Sequence, residues 1–461
     1  MIFSIDPTTG IERGRFAYQR RPQIDAALSA ACTAQVHWRQ TPILDRVKLL
    51  RTLAKELRSG RGAYSELITR EMGKPIVEAE AEIDKCAWNC EFYAEAAPGF
   101  LAPERIETNA AHSAVVFDPL GVVLAIMPWN YPFWQFFRFA APAFAAGNAA
   151  ILKHANNVPQ CALAIEKLVR TAALEAGAPA DLCQTLLIAA GDVADLIDDE
   201  RIAAVTLTGS TEVGRIVAAR AGRALKKQVL ELGGSDPFVV LADADIAVAA
   251  ATAVKARFTN VGQSCINAKR FIVEDRVAEE FVTAFVAGTG KLKVGDPMDR
   301  ATDVGAMARA NLRVELDRQV QSTLAAGATL KTGGHCIDGP GFFYAPTVLD
   351  HVTPDMTAFR EETFGPVAAI VRVKDADEAI ARANQTAFGL GAALWTRDVE
   401  RARNLSSRID AGAVFINGLV ASDPRLPFGG IKQSGYGREL GVYGIKEFVN
   451  VKSLWIGPAR Q

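Results

Sequence analysis

The sequence predicts an α/β protein with parallel sheets. From about residue 120 onwards strands and helices alternate: "GVVLAIMP" predicts a strand, "PQCALAIEKLVRTAALEAG" a helix that ends at glycine, and "IAAVTLTGS" a strand that leads into the helix "TEVGRIVAARAG". Such alternation is typical of βαβ units. With 461 residues, of which 49% are hydrophobic, the chain is long and apolar enough for two or three domains with full cores.

The first hundred residues show helical periodicity, as in "ILDRVKLLRTLAKELRSG", which ends in Ser-Gly as helices often do. No internal repeat, low-complexity linker or break in composition marks a domain boundary in the chain.

Composition excludes several classes of protein. The 51 basic and 52 acidic residues give a net charge of −1, and the basic residues are scattered, so we expect neither nucleic acid nor a membrane surface as a partner. No leader pattern or spanning segment is visible, and we expect a cytoplasmic protein. The seven cysteines lack disulfide-framework spacing, and Cys86 and Cys90 have no histidine nearby, so no metal site is expected.

Two segments could bind a nucleotide or an oxyanion, and each has an ordinary alternative. "VTLTGSTEVG" predicts a strand, a turn at Gly209 and a helix start, which could bind a pyrophosphate or be an ordinary turn. In "MPWNYPFWQ" the Asn130 amide looks exposed and could bind an oxyanion, or it could form an Asx turn. Lys153 could reach a ribose hydroxyl or a phosphate, or remain solvated at a strand end.

Two further segments carry a candidate base and a candidate nucleophile. In "QVLELGGSDPFVV" apolar surroundings would raise the pKa of Glu231 towards the range of a general base, but a turn cap or an arginine pair is the alternative. In "NVGQSCINAKR" Cys265 precedes a predicted strand and is either a nucleophile or a small buried side chain.

The order of these segments, followed by "EETFGPV" and "PFGGIKQSGYGRE", resembles the NAD(P)-dependent aldehyde dehydrogenase superfamily over the whole chain. The resemblance implies that Cys265 attacks the aldehyde carbon, that Asn130 and the Cys265 backbone N–H bind the thiohemiacetal oxyanion, and that hydride passes to the nicotinamide. Glu231 would then activate water to hydrolyse the thioester.

The resemblance also implies cofactor contacts. Trp129, Gly209 and Ser210 would lie near the pyrophosphate, Lys153 on the adenosine ribose, and Glu362 and Phe364 beside the nicotinamide ribose and ring. Asn156 stands where strongly NAD-selective members often have a glutamate that repels a 2′-phosphate, so NAD and NADP both remain open as cofactors. No metal is implied.

The substrate expectation comes from the succinate-semialdehyde dehydrogenase branch of the family. That branch has an arginine at the position of Arg138, and a guanidinium is a natural partner of a carboxylate. Ser422 would be a second carboxylate contact and Phe428 an apolar wall. Against this, an arginine often found six residues before the cysteine is Thr259 here, and Arg138 could instead form a surface or interface salt bridge.

The family fold implies three parts: a Rossmann-like cofactor domain (residues 1–100 and 120–232), an α/β catalytic domain (233–432) and a β oligomerisation arm (101–119 and 433–461) that would form a homodimer or homotetramer. The alternatives to a succinate-semialdehyde dehydrogenase are a broad-range aliphatic or aromatic aldehyde dehydrogenase, a CoA-acylating dehydrogenase and a noncatalytic scaffold. Relatives of the CoA-acylating type usually lack the glutamate found here at 231, and no histidine lies in a Cys-His pattern typical of a hydrolase.

Overall fold

The computed structural model describes residues 1–457. In chain order the strands are β1 Ile2–Ile5, β2 Glu12–Phe16, β3 Glu104–Arg105, β4 His112–Pro119, β5 Val122–Met127, β6 Ala149–His154, β7 Cys183–Thr185, β8 Ile202–Thr208, β9 Lys227–Glu231, β10 Asp236–Val240, β11 Ala268–Glu274, β12 Thr329–Thr332, β13 Thr347–Asp350, β14 Val367–Val373, β15 Gly391–Trp395, β16 Ala413–Ile416, β17 Gly435–Tyr436 and β18 Val449–Ile456.

The helices lie between these strands and before β3. They are α1 Arg21–Trp38, α2 Ile43–Ser59, α3 Arg61–Met72, α4 Ile76–Phe100, α5 Pro132–Ala146, α6 Pro159–Ala176, α7 Val193–Asp198, α8 Thr211–Arg223, α9 Ile246–Phe258, α10 Asp275–Thr289, α11 Ala310–Ala325, α12 Thr357–Arg360, α13 Ala376–Asn384, α14 Val399–Ser406 and α15 Gly441–Glu447. The helices predicted at α2, α6 and α8 and the strands predicted at β5, β8 and β11 are confirmed.

Two large sheets form the body of the subunit. The first has six strands in the order β17-β9-β8-β5-β6-β7, and the second has seven in the order β12-β13-β14-β11-β10-β15-β16. Pairing is parallel except at the edges, where β17 runs antiparallel to β9 and β12 antiparallel to β13. Each sheet has its own apolar core, as expected for α/β layers.

The remaining strands form two small sheets. β1 and β2 make an antiparallel pair, and β18, β4 and β3 make a three-stranded antiparallel sheet. β18 pairs with β4 over eight residues, and its other edge has no neighbour in the described chain. This sheet combines the two segments that we predicted as the arm.

One segment differs from the predicted arm boundary. β17 lies within 433–461, yet it pairs with β9 of the six-stranded sheet, Gly435 opposite Glu231 and Tyr436 opposite Leu230. Gly435 has a φ of 110°, and a Cβ there would lie 1.9 Å from the Leu230 carbonyl oxygen, so the close approach requires glycine. The segment around Gly435 is therefore part of the six-stranded sheet and not of the three-stranded sheet. Among residues 1–457, no helix is both long and apolar enough to cross a lipid bilayer.

Candidate active site

The predicted cofactor residues gather at one edge of the six-stranded sheet. β5, β6 and β8 are parallel, so the loops that follow them leave from the same edge. The chain reverses its direction of winding between β5 and β8, with β6 and β7 on one side and β9 on the other, and such a switch point forms a crevice. The residues at this edge are Trp129, Asn130, Lys153, Asn156, Gly209 and Ser210.

A cavity of about 240 Å³ lies in this crevice. Ser210 is the N-cap of α8 and accepts a hydrogen bond from the Val213 N–H at 3.4 Å. A Cβ on Gly209 would meet only Leu207 Cδ1, at 3.7 Å, so the turn is open for a close approach. The free N–H groups of a helix start beside an open glycine turn fit the pyrophosphate of a dinucleotide. Predicted residues that line the cavity are Trp129, Asn130, Gly209, Ser210, Cys265, Glu362 and Phe364.

Glu362 and Phe364 enter the crevice from the other large sheet. Glu362 Oε1 accepts a hydrogen bond from the Gly234 N–H at 3.0 Å and lies 3.6 Å from the buried Lys269 Nζ. Burial raises the pKa of Glu362, and Lys269 opposes that rise. Phe364 packs edge-on against Trp129, with ring centroids 5.7 Å apart. Both side chains are therefore held beside the crevice by contacts within the protein.

Lys153 and Asn156 lie beside the crevice without lining its cavity. The Lys153 ammonium donates to Asn156 Oδ1 at 3.0 Å and to the His154 carbonyl oxygen at 3.0 Å. Burial lowers the pKa of Lys153 to about 8. Among residues 1–457 no carboxylate lies within ion-pair distance of this ammonium, and the uncharged amide of Asn156 would not repel an added phosphate.

The loop that carries Cys265 has an unusual backbone. Asn260 and Val261 adopt left-handed conformations, with φ of 59° and 58°, just before Gly262 at 69°. A Cβ on Gly262 would lie 2.3 Å from the Gly365 carbonyl oxygen. The Asn260 N–H donates to Glu78 Oε2 at 2.8 Å. Left-handed conformations cost free energy for residues other than glycine, so these contacts hold the loop in one shape.

Asn130 is held against this loop. Its side-chain Nδ2 donates to the Gln263 backbone carbonyl oxygen at 3.0 Å, and the Asn130 backbone carbonyl oxygen accepts a hydrogen bond from Asn260 Nδ2 at 3.0 Å. Asn130 is buried, although the sequence made it look exposed, because the Cys265 loop covers it. Gln263 Oε1 in turn accepts from the Ala308 N–H at 3.0 Å. The amide is thus fixed in the cavity wall that also contains Cys265.

Cys265 lies in the wall between two cavities, because it lines the crevice and a second cavity of about 250 Å³. Burial raises the pKa of its thiol to about 12, while Arg138 and then Lys269 oppose the rise by favouring the thiolate. Glu231 and Glu362 raise the pKa further. The resting sulfur is therefore a thiol at neutral pH and must lose its proton when it reacts.

Glu231 ends β9 behind this wall, and it lines neither cavity. Neither of its carboxylate oxygens has a hydrogen-bond partner within the described chain. Burial raises its pKa to about 8; Arg138 opposes this, whereas Glu439 adds to it. The predicted rise in the pKa of Glu231 therefore has the predicted physical cause, which is desolvation.

The second cavity brings together the predicted substrate residues Arg138, Ser422 and Phe428. Arg138, on α5, forms a buried ion pair with Glu439, and its Nη2 donates to Thr208 Oγ1 at 3.3 Å. Its guanidinium lies 4.6 Å from the centroid of the Phe428 ring. From sequence, a surface or interface salt bridge is an alternative role for Arg138. The observed ion pair of Arg138 with Glu439 is buried inside the subunit.

Sequence reasoning missed several residues of this region. Glu439 pairs with Arg138, Arg309 lies 5.7 Å from the Trp129 ring centroid, and Lys85 donates to Ser422 Oγ at 2.7 Å. These contacts join residues far apart in the chain, and no local pattern indicates them. Only Glu439 had a signal, because it belongs to the quoted "GRE" segment. No group of three potential ligands in residues 1–457 could hold a metal ion.

A cysteine between a nucleotide-sized crevice and a second cavity, at the carboxyl edge of a doubly wound sheet, is an arrangement typical of dinucleotide-dependent dehydrogenases. The model of the aldehyde dehydrogenase family matches residues 1–454, and the chain belongs to that family.

Its relatives are similar over their whole length. The probable succinate-semialdehyde dehydrogenase [NADP(+)] of Synechocystis sp. is 50% identical, with 99% of both chains covered. The succinate semialdehyde dehydrogenase [NAD(P)+] of Escherichia coli is 47% identical, with 98% of this chain and 97% of the relative covered. The solved structure of succinic semialdehyde dehydrogenase from Streptococcus pyogenes in complex with NADP+ is 37% identical, with a TM-score of 0.96 and coverage of 99% and 100%.

Proposed function

We propose that the protein is a succinate-semialdehyde dehydrogenase that oxidises the four-carbon semialdehyde to succinate with NADP+ or NAD+. The observation that carries this proposal is the sulfur of Cys265 in the wall between the crevice and a cavity lined by cationic side chains. Full-length similarity to enzymes named for this reaction supports it.

In the proposed mechanism the Cys265 thiol gives its proton to solvent water in the second cavity, and the thiolate sulfur bonds to the aldehyde carbon while the carbonyl π electrons move to the oxygen. The Asn130 amide and the Cys265 backbone N–H donate hydrogen bonds to the oxyanion that forms, and the rigid loop holds both donors in place beforehand. Arg138 and Lys269 favour the negative charge that sulfur must carry as it reacts.

The later steps need a hydride acceptor and a base. Bound NAD(P)+ supplies the acceptor for the hydride that leaves the substrate carbon. Trp129, Ser210, Glu362 and Phe364 would hold the cofactor in the crevice, with Lys153 and Asn156 beside its adenosine ribose. Glu231 then removes a proton from the water that hydrolyses the Cys265 thioester, and its raised pKa suits that role.

The cofactor proposal includes NADP because Asn156 accepts a hydrogen bond from Lys153 and carries no charge. An ammonium without a carboxylate neighbour favours a 2′-phosphate. The names of the Synechocystis and Escherichia coli relatives carry NADP(+) and NAD(P)+, which supports the same expectation.

We further propose that the six-stranded sheet region is the cofactor domain, the seven-stranded region the catalytic domain, and the three-stranded sheet an arm that forms a homodimer or homotetramer. The free edge of β18 supports this last point. We propose the cytoplasm as the location, since all seven cysteines are free.

The test compares succinate semialdehyde with butanal, an uncharged aldehyde of equal chain length. With saturating NADP, and again with NAD, we expect kcat/KM for the acid to exceed that for butanal by ~10²-fold, the discrimination that a charge-assisted contact of about 3 kcal/mol provides. Equal values would reduce the function to that of a broad-range aldehyde dehydrogenase.

A second candidate, a CoA-acylating dehydrogenase, would release the acyl group to CoA and would have no use for Glu231. The burial of Glu231 beside Arg138 and Glu439 argues for hydrolysis. Release of free succinate in the absence of CoA decides between the two reactions.

A further inference from the structure

One partly buried cation in the wall of the second cavity has no carboxylate partner among residues 1–457. Five charged side chains line this cavity: Glu78, Glu82, Lys85, Arg138 and Lys255. Arg138 is paired with Glu439, and Glu82 with Lys74 at 2.5 Å. Lys255 lies on the exposed face of α9, where water screens its charge.

Lys85 differs from these residues. It is partly buried on α4, and among the described residues no carboxylate lies within ion-pair distance of its Nζ. Its contacts are a hydrogen bond to Ser422 Oγ at 2.7 Å and the face of Trp134, whose ring centroid lies 4.4 Å away. The nearby Asp423 is bound instead by Arg425, at 2.6 Å. Lys85 therefore keeps two ammonium hydrogens for another acceptor.

The electrostatic setting of Lys85 favours an anion. Burial lowers the pKa of Lys85 to about 8, and the positive charge of Arg138 adds to that effect, whereas Cys86, Asp423 and Glu82 oppose it. A bound carboxylate would place an opposite charge in direct contact with the ammonium, where none of the described carboxylates lies. Arg138, in contrast, would have to leave Glu439 before it could bind a carboxylate of the substrate.

The position of Lys85 suits the end of the substrate opposite the reacting carbon. Lys85 and Ser422 line the cavity that contains Cys265, and they also line an open surface groove with Asp84 and Trp88. A substrate that enters from this groove passes the ammonium before its aldehyde reaches the sulfur.

We propose that Lys85, together with Ser422, binds the distal carboxylate of short semialdehyde substrates and sets the preference for acidic over neutral aldehydes. This inference rests on the proposed function and names a residue for its specificity. Arg138 is a separate group of this wall, which pairs with Glu439 and lowers the pKa values of Glu231 and Cys265.

The test measures kcat/KM for succinate semialdehyde and butanal in Lys85→Gln, Lys85→Arg and wild-type enzyme. In Lys85→Gln we expect the ratio of the two values to fall ~10²-fold, mainly through a higher KM for the acid, because a charge-assisted contact is lost. Lys85→Arg should restore most of the ratio. Lys255→Gln is the matched control, since it removes the same charge from the same cavity at an exposed position, and we expect a change of less than about fivefold.

A direct binding measurement accompanies the kinetics. Succinate should quench or shift tryptophan fluorescence of the wild-type enzyme, because Trp134 contacts Lys85. We expect the Kd for succinate to rise ~10²-fold in Lys85→Gln and ~10-fold in Ser422→Ala, which keeps the cation but removes one hydroxyl donor.

The outcomes separate the two proposals. If the wild-type enzyme does not prefer the acid, the proposed function and this inference both fail. If it prefers the acid and Lys85→Gln keeps that preference, or if Lys255→Gln abolishes it equally, only the assignment to Lys85 is overturned. Should Lys85→Gln not fold, an unchanged succinate Kd in Ser422→Ala would overturn the assignment.

Discussion

At the scale of single residues, Glu231 is a buried carboxylate whose two oxygens have no hydrogen-bond partner among the described residues. A buried carboxylate without hydrogen bonds is stable mainly in its neutral form, so the chain stores a base that ionises only at mildly alkaline pH. Arg138 opposes the rise in the pKa of Glu231, and the same guanidinium is paired with Glu439.

The pH dependence of turnover follows from this environment. In the proposed mechanism Glu231 acts as a base when ionised, so kcat should rise with pH and reach half its plateau near pH 8, the pKa of Glu231. Glu231→Gln should lower kcat by ~10² to 10⁴-fold, the usual contribution of a general base. Stopped-flow absorbance at 340 nm should still show a burst of one equivalent of reduced cofactor in that variant, because thioester formation does not need the base.

Cys265→Ser is the control for this prediction, since it should show neither burst nor turnover. A pH profile of Glu231→Gln that retains the midpoint near 8 would contradict the role of Glu231.

Residues within motifs could be predicted from sequence, whereas pairs between distant segments could not. Cys265, Asn130 and Glu231 each stand in a short pattern whose chemistry is local. Lys85 and Ser422 are 337 residues apart, and nothing in either neighbourhood indicates that they meet. Arg138 shows the same limit, because its pairing with Glu439, 301 residues further along the chain, has no local signal in the sequence.

At the scale of elements, His154 fastens the end of β6 to the start of α5. Its Nε2 donates to the Pro132 carbonyl oxygen at 2.9 Å, and its Nδ1 accepts from the Ala155 N–H at 2.9 Å. Only the second bond requires the neutral ring, because a protonated ring can still donate from Nε2 but cannot accept at Nδ1, and burial lowers the pKa of His154 from 6.5 to about 4. The imidazole therefore makes both bonds only while it is uncharged.

The free energy of unfolding should depend on pH because of this lowered pKa of His154. The unfolded chain binds a proton at His154 near pH 6.5, whereas the folded chain does not until about pH 4, so the stabilisation is complete above 6.5 and declines as pH falls through this window. Between pH 7 and 5 the wild type should lose about 2 kcal/mol more unfolding free energy than His154→Gln. Urea unfolding at both pH values measures the difference.

The exposed His37 provides a matched control, because His37→Gln changes the same residue type outside the core. His37→Gln should retain the pH dependence of the wild type. An equal pH dependence in His154→Gln and wild type would show that the ring of His154 is not the group responsible.

Element prediction succeeded where periodicity was strong and failed where a strand was short. The apolar runs of β5 and β8 and the amphipathic run of α2 were visible in the sequence. β17 has only two residues, and its pairing depends on a glycine that lies against Leu230. Contacts of this kind arise from tertiary packing, which no local propensity encodes.

At the scale of the whole molecule, the three-stranded sheet is the part least supported by its own subunit. Seven of the eight residues of β18 are exposed, including Val451, Leu454, Trp455 and Ile456. A small sheet without a covered face is rarely stable by itself, so we expect a second subunit to cover it.

Light scattering after size exclusion tests this expectation. The wild type should elute as a dimer or tetramer, and Val451→Asp with Trp455→Asp should shift it towards the monomer, because charges in the interface would be desolvated. Leu225→Asp is the control, since Leu225 is 94% exposed and lies outside the arm. A wild-type monomer, or an unchanged mass in the double variant, would contradict the proposed arm.

The alternating strands and helices and the exposed β18 edge could be predicted from the chain's pattern. The meeting of the two large sheets around Cys265 could not, because it depends on contacts such as the hydrogen bond that Asn260 Nδ2 donates to the Asn130 carbonyl oxygen at 3.0 Å, which joins the cysteine loop to the segment after β5. Such a contact between distant segments is a property of the assembled molecule.

The placement of Cys265 in a wall shared by two cavities also bears on the order of events during turnover. Among the described residues Cys265 is the one that lines both cavities, so a molecule can fill one cavity without occupying the other. Under the proposed mechanism the acid can then depart while the dinucleotide stays, and the dinucleotide can exchange while the acyl group is still attached. The rate-limiting step is therefore free to shift between chemistry and cofactor release as the aldehyde changes, without any change in the fold.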